Sequence, residues 1–96
     1  MPVYWIARAK IIDQESYKKY ADKAGGIVES FGGKFLTRGG NFKIMEGTEN
    51  FTRFVVAEFP NMELAEECFN SEAYKNAAKN RRNGSGEVEI VFVESN

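Results

Sequence analysis

Between Phe51 and Pro60 the chain reads Phe-Thr-Arg-Phe-Val-Val-Ala-Glu-Phe-Pro, apolar at odd and even positions alike. Side chains alternate across a β-strand, so a strand wetted on one face alternates apolar and polar residues. Here Phe51, Val55, Ala57 and Phe59 line one face and Phe54 and Val56 the other, which predicts a strand that needs cover on both sides. Val3 to Ile12 has the same character. Trp5, Ala7, Ala9 and Ile11 share one face, and Tyr4, Ile6 and Ile12 share the second, where Arg8 and Lys10 intervene. In the last predicted strand, Glu87 to Glu94, Val88, Ile90 and Phe92 alternate with Val91 and Val93.

Lys34 to Glu46 carries Phe35, Leu36, Phe42, Ile44 and Met45, broken by Gly39 and Gly40. Paired glycines in a strand pattern mark a bulge or bend, so the expectation is one long, kinked strand. Gly47 to Asn50 then forms a turn. Counting across it places Glu46 opposite Phe51 and Ile44 opposite Arg53, which makes Glu46 and Arg53 diagonal neighbours on one face.

Helical spacing fills the gaps. After Asp13, a good N-cap, Tyr17, Tyr20, Ala21, Ala24, Val28 and Phe31 recur every three or four residues, with Lys18, Lys19, Asp22, Lys23 and Glu29 on the wet side. Gly25 and Gly26 inside this pattern weaken a helix by about 1 kcal/mol each, unless another backbone approaches closely there. Gly32 and Gly33 end it. Pro60 stops the Phe51 strand, Asn61 caps a short helix over Met62 to Phe69, and Ser71 caps another running from Glu72 to Lys79, Arg81 and Arg82, cations that suit a helix C-terminus.

The order is β-α-β-β-α-β over a single domain, residues 1–96, and predicts an α+β, ferredoxin-like sandwich: a four-stranded antiparallel sheet with its helices on one face. The other sheet face is then left bare although three strands present apolar residues there, and such a patch marks an interaction surface. Eight Phe, four Tyr and one Trp are more rings than a core this small must have, which also favours an interface.

Charge narrows the partners. A net charge of -1, with no basic block, disfavours capture of nucleic acid or anionic lipid. The segment Arg53 to Phe59 resembles the strand-three signature of the RNA-recognition motif only superficially, with Arg53 where glycine belongs and Val56 where the second stacking ring belongs. No apolar run predicts a membrane span or a secretory signal, so the expected location is the cytoplasm. Cys68, the single cysteine, falls in a helical apolar pattern and reads as buried filler. Histidine is absent, which leaves acid–base chemistry to carboxylates, Tyr, Lys or Cys and gives no paired metal-ligand spacing; no metal and no cofactor are expected.

Nearly the whole chain resembles the domain of unknown function 1330 family of the dimeric α/β-barrel superfamily. The resemblance rests on Tyr4-Trp5-Ile6-Ala7-Arg8, Tyr17 with Tyr20, Gly32 to Gly40, Met45-Glu46-Gly47, Arg53 to Pro60, Ser71-Glu72-Ala73-Tyr74 and Val91-Phe92-Val93-Glu94, with Phe35-Leu36-Thr37-Arg38-Gly39-Gly40 the most specific piece. It implies a homodimer closing an α/β barrel and fixes no reaction. Related families include cofactor-independent monooxygenases, isomerases and haem-degrading enzymes. The first two offer an analogy, whereas the haem branch would need a ligand that a chain without histidine lacks.

Charges in or beside strands are uncommon unless paired or exposed, which singles out Arg38, Glu46 and Arg53. For Glu46 and Arg53 the simpler reading is an edge-strand ion pair, and the alternative is anion binding by the guanidinium. At Arg38 the functional reading is preferred, because Gly39 and Gly40 can bend the strand and aim its side chain into a cleft. The expected site is a small pocket near that bend, walled by Trp5 and Tyr17, with Arg38 and Arg53 binding a small organic acid or aromatic molecule and Glu46 or Tyr17 moving protons if chemistry occurs. For Trp5 the simpler reading is core or dimer interface, and for Tyr17 and Tyr20, on the apolar helical stripe, it is core. A structural dimer without catalysis is the alternative, and an RNA-binding module a remoter one.

Overall fold

The computed structural model describes all 96 residues. Its elements are β1 (Val3–Ile11), α1 (Gln14–Ser30), β2 (Lys34–Arg38), β3 (Arg53–Phe59), α2 (Met62–Asn70), α3 (Glu72–Arg82) and β4 (Gly86–Glu94). The strands form one antiparallel sheet in the order β2-β3-β1-β4, the ferredoxin-like arrangement. Each helix begins at the cap its sequence advertises. Asp13 accepts from the amides of Glu15 and Ser16, Asn61 from Leu64, and Ser71 from Tyr74, satisfying donors that a helix start leaves free.

Register assigns the two faces. Trp5 lies opposite Ala57 and Phe92, and Ala7 opposite Val55 and Ile90, all toward the helices. Val3, Trp5, Ala57 and Phe59 meet Ala24 and Val28 of α1, Ala65 and Cys68 of α2, and Tyr74 and Ala78 of α3 in one core. Trp5 is its hub: its ring stacks on Phe59 at 5.7 Å between centroids and meets Tyr74 edge-on at 5.4 Å, arrangements that add to simple burial. Tyr4, Ile6, Phe54, Val56, Val91 and Val93 share the opposite face, where no element covers them. Ile6 is 40% exposed, Val91 53% and Val93 45%.

Four sequence expectations are corrected. The strand predicted over Lys34 to Glu46 ends at Arg38, and residues 39–52 carry no regular structure. The bulge sits at Leu36, between the pairs Phe35–Ala57 and Thr37–Val56, and not at Gly39-Gly40. No hairpin therefore sets Glu46 opposite Phe51. Phe51 itself precedes β3 and leaves the face of Val55. Its ring lies 4.2 Å from the guanidinium carbon of Arg8, which is paired in register with Phe54 and Glu89 on the uncovered side.

Candidate functional site

A cavity of about 40 Å³ lies between α1 and the helix-facing side of β1, β2 and β3. Small residues create it: Ala7, Ala9 and Ala57 below and Ala21 and Ala24 above cannot fill the gap between sheet and helix. Trp5, Tyr17, Tyr20 and Phe35 wall it, and Arg38 and Arg53 also line it.

The bulge brings Arg38 here. Phe35 faces α1 opposite Ala57, and strict alternation would send Thr37 inward and Arg38 outward. The extra residue at Leu36 reverses the phase, so that Arg38 pairs with Val55 on the inner face. Its guanidinium lies over the Phe35 ring at 4.6 Å, and its Nη2 donates to the Ala21 carbonyl of α1. Gly25 completes the seat. A Cβ there would stand 2.7 Å from Arg38 Nη1, so the close approach that this helical glycine permits is to a side chain. Arg53, opposite Ala9, reaches inward from the start of β3. Gly39 turns the chain away at φ 71° and leaves no space for a Cβ beside the Arg53 guanidinium.

Behind the cavity runs a chain of polar rings. Tyr20 and Tyr74 hydroxyls lie 2.7 Å apart, and Arg81 Nη2 donates to Tyr74 Oη at 3.1 Å. Burial, then the neighbouring Tyr74, raises the Tyr20 pKa far above the usual phenol value. Tyr17 is also raised, by burial first and Tyr20 second, with Arg53 and Arg81 opposing. Arg81 is a further correction. It is not a solvated helix-terminal cation but is only 6% exposed, and its Nε has no partner.

The electrostatics are one-sided. Neither Asp nor Glu lines the cavity. The molecule has two salt bridges, Arg8–Glu89 and Lys18–Asp22, so Arg38, Arg53 and Arg81 have no carboxylate partner. Of the three only Arg81 is buried, and buried cations are normally paired.

Of the residues expected at one site, Trp5, Tyr17, Arg38 and Arg53 meet at this cavity and Glu46 does not. Glu46 is exposed and lines a separate cleft with Arg8, Phe42 and Phe54, on the uncovered side of the sheet. Gly25, Tyr74 and Arg81 were not anticipated. The signal for Arg81 was its place on the buried stripe of α3, three residues after Ala78, four after Ala77 and seven after Tyr74. No group of three or more His, Cys, Asp or Glu side chains could hold a metal ion. Cys68 is fully buried and its thiol is pushed up to about 11 by burial.

A four-stranded antiparallel sheet with helices on one face and a bare apolar face opposite defines an α+β protein of the ferredoxin-like class. Within that class the chain belongs to the family described as domain of unknown function (DUF1330), whose model matches residues 2–96. No curated protein matches it. Among solved structures it is similar to a protein of unknown function from Rhodopseudomonas palustris, with 17% identity, TM-score 0.79, and coverage of 99% of this chain and 82% of the other. A dimeric ferredoxin-like protein of unknown function from Jannaschia sp. CCS1 has 11% identity, TM-score 0.72, and coverage of 99% and 100%. SnoaB, a cofactor-independent oxygenase from Streptomyces nogalater, has 8% identity, TM-score 0.69, and coverage of 99% and 93%. At such identities the likeness is one of fold.

Proposed function

We propose that this protein is a homodimer that binds a small organic acid in the cavity under α1. The observation that carries the reading is the lining: two guanidinium groups, no carboxylate, and walls otherwise made of rings and small apolar side chains. Guanidinium forks match carboxylate oxygens, while rings take an apolar body. A volume near 40 Å³ suits a ligand of a few heavy atoms, and a longer one would project past Arg38, which is exposed at the rim.

The bare sheet face supports the dimer. Its six apolar residues are self-complementary about a two-fold axis, and similar folds from Jannaschia and Bacteroides fragilis are described as dimeric. If the bound acid is transformed, Tyr17 is the proton-transfer group, since Glu46 lies at another cleft. A phenol held above its usual pKa is protonated at neutral pH and acts as a donor. SnoaB, described as a cofactor-independent oxygenase on this fold, supplies the analogy for chemistry without a bound cofactor.

One observation favours a purely structural role for Arg38, its bond to the Ala21 carbonyl. That bond occupies one of five guanidinium donors and leaves the others free. A thermal-shift screen of short-chain and aromatic carboxylates on wild type and Arg38→Ala separates the readings. Acid binding predicts stabilisation of the wild type that disappears in a folded Arg38→Ala variant. If no acid stabilises the wild type, or if the variant responds equally, the structural reading stands.

A further inference from the structure

The cavity has two unlike ends, and on the premise that it is the acid site described above they fix how a ligand lies in it. One end opens at the sheet edge. Arg38 comes from the edge strand β2 and is the only exposed residue in the lining, and the Arg53 guanidinium lies beside Gly39, the residue that follows β2. The other end is closed. Trp5 stands on β1, an inner strand, opposite Ala57, and both meet Ala24 and Val28 of α1 in the core. None of these residues is more than 6% exposed, and apart from the indole N–H their side chains carry no polar atom. Space there is short. A bound water needs about 10–15 Å³ and a cavity that takes benzene is about 150 Å³, so about 40 Å³ holds roughly three chain carbons and no ring.

We infer that the site is specific for a straight-chain aliphatic acid at most about four carbons long, bound with its carboxylate at the Arg38 and Arg53 rim and its methyl end against Trp5, and that Ala24 sets the length limit. The reverse orientation would bury a carboxylate among carbon side chains, where an unpaired charge is costliest, and would leave the guanidinium groups without it. Held with the carboxylate outward, propionate or butyrate fills the closed end with its carbon chain. A longer chain has no space to extend into and would have to draw its carboxylate out past Arg38. Ala24 and Ala57 bound the closed end from the helix and from the sheet. Ala57 is paired with Trp5 on one side and Phe35 on the other, so a larger side chain there presses on both neighbouring strands. Ala24, on the helix, is the position at which carbon can be added or removed.

Acetate, propionate, butyrate, pentanoate, hexanoate and benzoate, titrated against the intact chain by NMR at neutral pH, test this. Wild-type affinity is expected to rise about fourfold per added methylene from acetate to butyrate, the worth of one buried CH2, and to be lower by about tenfold or more for hexanoate and benzoate. Trp5 is the only tryptophan, so its ring protons are identified without ambiguity. NOEs should reach them from the butyrate methyl and not from the methylene next to the carboxylate. Ala24→Val adds two carbons at the closed end and should move the optimum from butyrate to acetate. Where Ala24→Val overpacks the core and fails to fold, Ala24→Gly, which removes one carbon, should move the optimum up to pentanoate. If none of the acids binds wild type, the acid site itself is refuted and this inference with it. If acids bind but hexanoate or benzoate matches butyrate, if the butyrate methyl gives no NOE to Trp5, or if the folded variant keeps the wild-type optimum, the length and orientation inference is overturned while the acid site stands.

Discussion

Replacing Gly25 with alanine would put a Cβ 2.7 Å from Nη1 and 3.0 Å from Nη2 of Arg38, too close for the guanidinium to stay where it is. The obstructing atoms are the far end of an exposed, flexible side chain, so Arg38 can swing out into water. Two terms then compete. Alanine in place of a helix-interior glycine contributes about 1 kcal/mol, and Gly25 has no positive φ to oppose the change. Against this stands the lost bond from Arg38 to the Ala21 carbonyl, worth about 0.5–1.5 kcal/mol. The sum lies within about 0.5 kcal/mol of zero, a shift in Tm of no more than about 4 °C for a domain of this size. Gly26→Ala is the control, because a Cβ there meets nothing within 4 Å and takes the helix gain alone, about 4–8 °C. Gly33→Ala is the opposite control. Its Cβ would stand 2.5 Å from Val28 Cγ1 and 2.8 Å from the Val28 carbonyl oxygen, which cannot swing aside, and overpacking of this kind costs about 1–3 kcal/mol. Thermal melts of the three variants, with and without propionate, read both quantities. Gly25→Ala should melt near wild type and lose the acid response, whereas Gly26→Ala should melt higher and keep it. A Gly25→Ala variant that melts more than 10 °C low, or responds to propionate like wild type, would refute the assignment of Gly25 as the seat of Arg38.

Four further expectations are simpler to check. Light scattering after size exclusion should give twice the 10.8 kDa chain mass, and Ile6→Asp, which sets a charge on the inner strand β1 of the bare face, should yield a folded monomer; a monomeric wild type at micromolar concentration would remove the dimer. Fluorescence anisotropy with mixed single-stranded RNA and DNA at about 150 mM salt should show no saturable binding, since the net charge of -1 supplies no phosphate-neutralising surface; sub-micromolar, salt-sensitive binding abolished by Phe54→Ala would revive the RNA reading. Cys68, buried and with its pKa pushed up to about 11, should react with a thiol reagent at pH 8 only as fast as the protein unfolds, and fast labelling of the native protein would contradict its burial. Tyr17 and Tyr20 bind their protons more tightly folded than unfolded, so the stability they contribute is complete below about pH 10, the unfolded phenol value, and is lost as pH rises above it; urea midpoints that stay flat from pH 9 to 11.5 would count against buried phenols.

How much of this was legible in the sequence depends on which physical signal each residue rests on. Strand faces were legible because alternation is enforced by the backbone, and Val55, Ala57 and Phe59 against Phe54 and Val56 fall as alternation requires. The α1 and α3 starts were legible because Asp13 and Ser71 are strong caps. Register across residues 39–52 was not. Counting from Glu46 to Arg53 assumed a hairpin, and the bulge at Leu36 is specified by no residue of special backbone preference. A slip of one position reverses every facing side chain, and that slip is what directs Arg38 inward. The reasoning from Gly39-Gly40 thus reached a residue that does line the cavity by a mechanism the structure does not use.

The same alternation ties the two halves of the proposal together. Ala7 and Ala9 of β1 and Val55 of β3 form the cavity floor, while Ile6, Arg8, Phe54 and Val56, their immediate neighbours in sequence, stand on the bare face. A second copy seated on that face would hold the floor rigid from behind, because backbone displacement in either strand moves both sets of side chains. Arg8 and Glu89 lie directly opposite each other on that face at 2.7 Å, with side chains 45% and 61% exposed. In an isolated chain such a pair is worth little. Enclosed between two sheets it would become a desolvated pair, and removing one partner would strand the other charge. The dimer therefore demands that Glu89→Gln weaken association far more than it lowers the stability of the single chain.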